Sequence, residues 1–166
     1  MIAFLAQTLL PFLVVLAAAY DCFTLRIPNW LSAAVALAFF PLAIMTGMPA
    51  EAIFWHCLTA LAILTVTFGL FSGGFIGGGD AKLLAGAGLW FGWPDAGPFL
   101  VLTALAGGVL AIAYKVGRML KIEQEVRDLG WAKRWLNVNP DLPYGIAIAA
   151  GAVLAFPSTW WMSLPG

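Results

Sequence analysis

Residues 74–83 read Gly-Phe-Ile-Gly-Gly-Gly-Asp-Ala-Lys-Leu, which places three consecutive glycines directly before an acid, between two apolar stretches. Because glycine has no Cβ, Gly77, Gly78 and Gly79 permit an unwound or left-handed backbone and let another chain approach closely. One interpretation is a flexible hairpin between two helices. The other is a backbone shaped to hold Asp80 at membrane depth, where an extended substrate could pair with exposed amide groups of the glycines.

The composition of the whole chain is that of an integral membrane protein. Hydrophobic residues make up 63% of the 166 residues, charged residues make up 10%, and the mean hydropathy is +0.96. A soluble domain carries about 25% charged residues, so this chain has too few charges to build a polar surface. No Ser/Pro-rich linker or low-complexity tract divides the sequence, which predicts a single domain over residues 1–166.

Six apolar stretches predict an all-α, polytopic membrane protein with a bundle of six transmembrane helices. A helix that crosses the hydrocarbon core of about 30 Å needs about 20 residues. Five stretches of suitable length are Ile2–Ala19, Trp30–Met45, Ala52–Phe71, Pro98–Val116 and Pro143–Met162. The sixth, Leu83–Trp93, reaches only about 17 Å as a helix, so the glycine segment before it must itself enter the membrane.

The distribution of basic residues predicts the orientation. With the N-terminus outside, all eight Lys and Arg residues lie on one side, which is the cytoplasmic side by the positive-inside rule. Tryptophans are then expected at both membrane interfaces, with Trp55, Trp90, Trp93, Trp160 and Trp161 at the outer one. Residues 115–141 alternate bases, acids and apolar residues, which predicts a cytoplasmic extension of the fifth span followed by an amphipathic helix among lipid headgroups.

This topology brings Asp21 and Asp80 to one depth, each at the cytoplasmic end of a span. Acids beside spans are costly to bury and are usually functional. The helix dipole favours Asp80 at the start of its helix but disfavours Asp21 at the end of its own, so Asp21 requires another explanation. Two carboxylates held close together share a proton, and such a pair can hydrolyse a peptide when one deprotonates water and the other protonates the carbonyl oxygen. Helix capping and a proton relay are the alternatives.

The remaining residues indicate no other chemistry. His56 is the only histidine and lies near the outer end of the third span, so we expect it to be a packed or interfacial residue. Cys22 and Cys57 have no CxxC spacing, and no cluster of His, Cys and acidic residues suggests a metal. We therefore expect neither a metal nor a cofactor, and no nucleic-acid partner.

Three stretches together are similar to the type IV prepilin peptidases, a family of GxGD membrane aspartyl proteases. They are Asp21 followed by Arg26-Ile27-Pro28-Asn29, the segment Gly77-Gly78-Gly79-Asp80-Ala81-Lys82-Leu83, and Leu142-Pro143-Tyr144-Gly145 at the start of the last span. Their order and spacing resemble the family pattern over nearly the whole chain.

The resemblance implies that Asp21 and Asp80 are the catalytic pair and that the substrate is a prepilin. The prepilin would be cut at the cytoplasmic face of the bacterial inner membrane, between its short basic leader and its hydrophobic helix. Arg26 and Lys82 would bind lipid phosphates, or else tune the acids or bind substrate. The other motif residues would support the site: Pro28 and Asn29 by starting the second helix, with Asn29 either capping it or turning into it, and Pro143, Tyr144 and Gly145 at the start of the last.

Only about nine residues, Asp21–Asn29, separate the first two spans, and the paired CxxC motifs of the larger prepilin peptidases are missing. The chain therefore resembles the compact, TadV- or CpaA-like enzymes of tight-adherence (Flp) pilus systems, which implies a peptidase without N-methyltransferase activity. A different class of function, a small proton-coupled transporter that uses the two aspartates, is the alternative, because intramembrane acids and broken helices also occur in transporters.

Overall fold

A computed structural model describes residues 1–119 and 142–165, apart from the Arg118 side chain. These residues form six α-helices: α1 (Ile2–Thr24), α2 (Asn29–Met45), α3 (Ala50–Ser72), α4 (Gly78–Phe91), α5 (Ala96–Met119) and α6 (Tyr144–Ala155). Two short 3₁₀ turns follow, Phe156–Ser158 and Trp160–Ser163. The described part of the chain is therefore all-helical, as the sequence predicts.

Three helices are long and apolar enough to cross a membrane, namely α1, α3 and α5 up to Gly117. The helices α2 and α6 are apolar but shorter, and α4 has 14 residues, or about 21 Å. These helices suggest a membrane protein. The last helix is shorter than its predicted span because α6 ends at Ala155, two residues before Pro157, and a proline has no backbone N–H to continue the helical hydrogen bonds.

The short helix α4 lies at the centre of the bundle. Most of its length is buried, and it packs extensively on α2 and α3 and more lightly on α5 and α6. Small residues permit this close packing: a Cβ at Gly86 would lie 3.3 Å from the carbonyl oxygen of Ser32 in α2, and one at Gly88 would collide with the side chain of Ile63 in α3. A second tight layer joins α5 to α6, where Gly151 lies against Thr103.

Two of the tryptophans predicted at the outer interface are instead in the core. Trp90 and Trp161 each have 0% exposure. Their indole N–H groups donate to backbone carbonyl oxygens, that of Trp90 to Val35 at 2.8 Å and that of Trp161 to Trp90 at 2.7 Å. With Phe39 they form a packed aromatic cluster, so buried carbonyl partners replace the lipid headgroup region as the polar environment of both rings.

The glycine segment is more helical than the sequence predicts. Only Gly74 adopts a left-handed backbone, with φ of +75°. Gly77 is extended and precedes α4, whereas Gly78 and Gly79 already belong to the first helical turn. The prediction that all three residues from Gly77 to Gly79 offer an unwound edge is therefore wrong for the last two.

The predicted amphipathic segment at 115–141 begins inside α5, which continues to Met119. From residue 120 to residue 141 it lies outside the described residues.

Candidate active site

Asp21 is held by the start of the last helix. It lies in the final turn of α1, which ends at Leu25 with a left-handed backbone (φ of 52°), and it is only 4% exposed. The backbone N–H of Gly145 in the first turn of α6 donates to Asp21 Oδ2 at 2.8 Å. The positive end of the α6 dipole thus faces the Asp21 carboxylate. This offsets the unfavourable position of Asp21 at the negative end of the α1 dipole. This contact explains an acid that local sequence reasoning left without a reason.

Glycine at position 145 is a steric requirement of this contact. A Cβ added there would lie 2.9 Å from Asp21 Cβ and 2.9 Å from Asp21 Oδ2. Any side chain would therefore separate α6 from α1 or displace the carboxylate. Gly145, expected only to support the site, is a direct hydrogen-bond donor to one of the two predicted acids.

Asp80 lies in the first turn of α4 and is half-buried. A Cβ on Gly77 would lie 2.7 Å from Asp80 Oδ2, so the carboxylate folds back over that glycine. The φ of Gly77 is −71°, which any residue can adopt. Glycine is therefore required at this position for the close approach of the Asp80 carboxylate, and not for its backbone conformation.

The next two glycines are also close-contact positions. A Cβ on Gly78 would lie 3.2 Å from the ring of Phe71, and one on Gly79 would lie 3.1 Å from Ile27 Cβ. Gly79 thereby packs the start of α4 against the segment that follows α1. The glycine run draws the two acid-bearing elements together.

The two acids line one cavity of about 590 Å³. Seven of the predicted site residues border it: Asp21, Arg26, Gly77, Gly78, Gly79, Asp80 and Tyr144. Six residues that were not predicted complete the wall: Leu25, Ile27, Gly74, Phe75, Ile76 and Leu142. Ile27 and Leu142 lie inside the quoted motifs, so the motifs themselves carried a signal for these two wall residues.

The ends of three helices meet at this cavity. Asp21 comes from the end of α1, Asp80 from the start of α4, and Tyr144 from the start of α6. The Tyr144 side chain also packs on α5, where a Cβ on Gly107 would lie 3.0 Å from the Tyr144 ring. The site is therefore built at one end of the bundle, and the remaining wall comes from the connecting segments after α1 and α3 and from Leu142, just before α6.

Arg26 borders the cavity with an exposed side chain. Its backbone is held by Thr24, whose hydroxyl donates to the Arg26 carbonyl oxygen at 2.9 Å and accepts from the Arg26 N–H at 3.3 Å. This clamp makes a tight turn after α1 and presents the guanidinium at the mouth of the cavity.

Lys82 and Asn29 lie away from the cavity and pair with each other. Lys82 Nζ donates to Asn29 Oδ1 at 2.9 Å, and both side chains are exposed. Asn29 was expected to start α2 and either to cap it or to turn into it. It is the first residue of α2, but Pro28 occupies the N-cap position and no side-chain capping hydrogen bond is present there. The capping alternative is therefore wrong, because the amide oxygen of Asn29 is used to tie α2 to α4. Pro143 precedes α6 and is fully buried behind the site.

Within residues 1–119 and 142–165, no group of three or more His, Cys, Asp or Glu residues could hold a metal ion. The ionisable and polar side chains among the residues that line the cavity are those of Asp21, Asp80, Arg26 and Tyr144.

Comparison with known proteins identifies the family. A family model described as the type IV leader peptidase family matches residues 8–112, which is more than half of the chain. The chain belongs to the type IV leader peptidase family. The matched region of this family member includes both Asp21 and Asp80, and it ends before Gly145. Neither a curated protein nor a solved structure matches the chain.

Proposed function

We propose that this member of the type IV leader peptidase family is an intramembrane aspartyl endopeptidase with Asp21 and Asp80 as its catalytic pair. The observation that supports this most directly is that two acids 59 positions apart in sequence line one cavity at one end of the bundle. The remaining acids among the described residues, Glu51 and Asp95, do not border that cavity. The family match favours hydrolysis over proton-coupled transport.

The hydrolytic step uses one carboxylate as base and the other as acid. The hydrogen bond from the Gly145 N–H stabilises negative charge on Asp21, which supports assigning Asp21 as the base and Asp80 as the carrier of the shared proton. Asp21 removes a proton from water, the water oxygen bonds to the scissile carbonyl carbon, and Asp80 protonates the carbonyl oxygen. When the tetrahedral intermediate collapses, the C–N bond breaks and the proton on Asp21 passes to the leaving amine. One hydroxyl of the intermediate returns its proton to Asp80 as the new carboxyl group forms, which restores the starting state of the pair.

The proposed topology has six crossings and an extracytoplasmic N-terminus. The end of α1 and the starts of α4 and α6 border one cavity, which agrees with strict alternation of six segments. Arg26 and Lys82 lie at this end of the bundle, so the positive-inside rule supports a cytoplasmic cavity. A bacterial inner membrane is the proposed location, and lipid headgroups surround the basic end.

The proposed substrate is a type IV, Flp-like prepilin, cut between its basic leader and its hydrophobic helix. Residues 25–28 form the whole connection between α1 and α2, so this connection has no room for a further domain. The only cysteines, Cys22 and Cys57, form no CxxC motif. Both facts support the compact, tight-adherence type of enzyme, which cleaves without N-methylation.

The test is cleavage of a prepilin precursor by the purified protein in lipid vesicles. Asp21→Asn and Asp80→Asn are each expected to abolish the cut, because each keeps the side-chain shape but removes a carboxylate. Asp95→Asn, outside the cavity, is the matched control and should cleave normally. Normal cleavage by either cavity variant refutes the role of that residue, and ion flux without cleavage by the unaltered protein would point to a transporter.

A further inference from the structure

The helix α3 is attached to the bundle along one line only. Among the described helices, its only extensive contact is with the central helix α4, and it buries only Ile63 and Thr67. An apolar cleft consequently opens on each side of α3. We call them the α3/α5 cleft, of about 860 Å³, and the α2/α3 cleft, of about 510 Å³.

The α3/α5 cleft is a long apolar groove. Its α3 wall extends from Trp55 to Leu70, its floor includes Leu84 of α4, and the first turn of α5 contributes Leu100. The 15 helical steps from Trp55 to Leu70 cover about 22 Å along the helix axis, which is most of the hydrocarbon thickness of about 30 Å. Apart from two tryptophans at its outer end, the only polar side chains in its wall are two threonines, and each donates its hydroxyl to a carbonyl of its own helix. The wall is therefore mainly apolar.

Leu84, which borders the α3/α5 cleft, and Asp80, which borders the cavity, lie on the same face of α4. Residues four apart lie on one helix face, so Leu84 stands one turn, or about 6 Å, above Asp80. The α2/α3 cleft is bordered instead by Lys82 with its partner Asn29. The end of the α3/α5 cleft at Leu70 and Leu84 therefore lies about one helical turn from the cavity, whose glycine wall starts at Gly74, four residues after Leu70.

We propose that the α3/α5 cleft seats the apolar helix of the precursor, with its N-terminal end at Leu70 and Leu84. This rests on the proposed function, because the segment that follows the scissile bond would be a hydrophobic helix. A helix lying in the cleft presents the bond before its first turn to Asp21 and Asp80. The basic leader then extends out of the mouth of the cavity into water. Specificity for the apolar helix is thus located in α3, outside the catalytic cavity.

Two alanines on α3 provide a matched pair for the test. Ala62 borders the α3/α5 cleft and Ala60 borders the α2/α3 cleft. Two residues apart on a helix, they point in nearly opposite directions. Ala62→Trp fills the proposed seat, and Ala60→Trp adds the same bulk on the other side of the same helix.

Each variant is assayed on the complete precursor and on a truncated peptide that ends a few residues after the scissile bond. We expect Ala62→Trp to lower kcat/KM for the complete precursor by about tenfold or more, the scale of a steric misfit in an apolar pocket. Its rate on the truncated peptide should stay unchanged, and Ala60→Trp should change neither rate. An effect of Ala60→Trp alone, equal effects of both, or a loss on both substrates overturns the proposal.

The unaltered protein separates this proposal from the one on which it rests. If it cuts neither substrate, the proposed protease function has failed. If it cuts the complete precursor while Ala62→Trp cuts it equally well, the cleft assignment has failed and the protease function stands.

Photo-crosslinking gives a second measurement that does not depend on the bulk of a tryptophan. A photoreactive phenylalanine at position 62 of the Asp80→Asn protein is expected to capture the apolar helix of the precursor, and the same group at position 60 is not. Capture at position 60 only, or capture of phospholipid alone at position 62, refutes the docking site.

Discussion

Replacing Gly145 by alanine tests the contact that explains Asp21. The backbone N–H of Gly145 donates to Asp21 Oδ2 at 2.8 Å, and an added Cβ would lie 2.9 Å from two atoms of that side chain. Carbon and oxygen atoms do not approach so closely, so the variant must lengthen or break the hydrogen bond. A hydrogen bond to a charged group contributes about 1.5–3 kcal/mol.

If this interaction positions Asp21 in the transition state, its loss lowers kcat by about 10- to 100-fold, since about 1.4 kcal/mol corresponds to a factor of ten in rate. KM for the precursor should change little, because Gly145 does not border the cavity or the α3/α5 cleft. The assay is the initial rate of precursor cleavage in vesicles over a range of precursor concentrations. A Gly145→Ala enzyme with the kcat of the unaltered protein would refute the reasoning.

Alanine substitutions at two other glycines distinguish the loss of the Gly145–Asp21 hydrogen bond from a general effect of tighter helix packing. Gly86→Ala brings a Cβ to 3.3 Å from the Ser32 carbonyl oxygen, away from the cavity, and at Gly108 nothing lies within 4 Å of the added atom. We expect Gly86→Ala to lower the thermal stability with little change in kcat, and Gly108→Ala to preserve both. If Gly86→Ala reduces kcat as much as Gly145→Ala does, the loss arises from helix packing and not from Asp21.

Three further changes test neighbouring parts of the structure. Gly77→Ala should lower kcat by about tenfold or more. The added Cβ would lie 2.7 Å from Asp80 Oδ2 and would therefore displace the carboxylate. An unchanged rate of precursor cleavage would contradict this. Lys82→Met and Asn29→Ala should each lower the unfolding free energy by about 1 kcal/mol or less. Their effects should be non-additive when combined, since the two side chains share one hydrogen bond. A large loss of kcat in the Lys82 variant would show that this lysine acts on the acids. His56→Phe should cost about 1 kcal/mol of unfolding free energy with normal cleavage, because His56 Nδ1 bonds a carbonyl near the end of α4 at 2.6 Å; loss of cleavage without loss of thermal stability would assign it another role.

Much of the fold and of the candidate site could be predicted from the sequence because both depend on local properties. Apolar runs of helical length predict helices whatever their neighbours are, and five of the six predicted spans match helices to within a few residues at most of their ends. The exceptions follow from single residues, such as Pro157, which shortens the last helix. The fourth span was predicted to begin at Leu83, whereas α4 begins at Gly78, because two of the glycines before Asp80 are already helical.

The role of the glycines required the tertiary structure. From sequence, a run from Gly77 to Gly79 indicates both conformational freedom and close approach by another chain, but the left-handed position in this segment is Gly74. The run itself permits close approach, to Asp80, to the Phe71 ring and to Ile27. A missing Cβ has the same appearance in sequence in both cases, and only the neighbouring atoms distinguish them.

By itself, the sequence determined the helical class and the membrane-like composition, and it singled out Asp21 and Asp80 as the candidate pair, because length, hydropathy and residue type are properties of each segment alone. The tertiary structure decided which groups meet. Gly145 forms a hydrogen bond with Asp21, 124 positions away in the sequence. Lys82 forms one with Asn29, and Trp90 and Trp161 are buried in the core. Such contacts depend on how the helices pack and on which helix end faces which. A hydrogen bond between residues so far apart leaves no periodic or compositional trace in either segment.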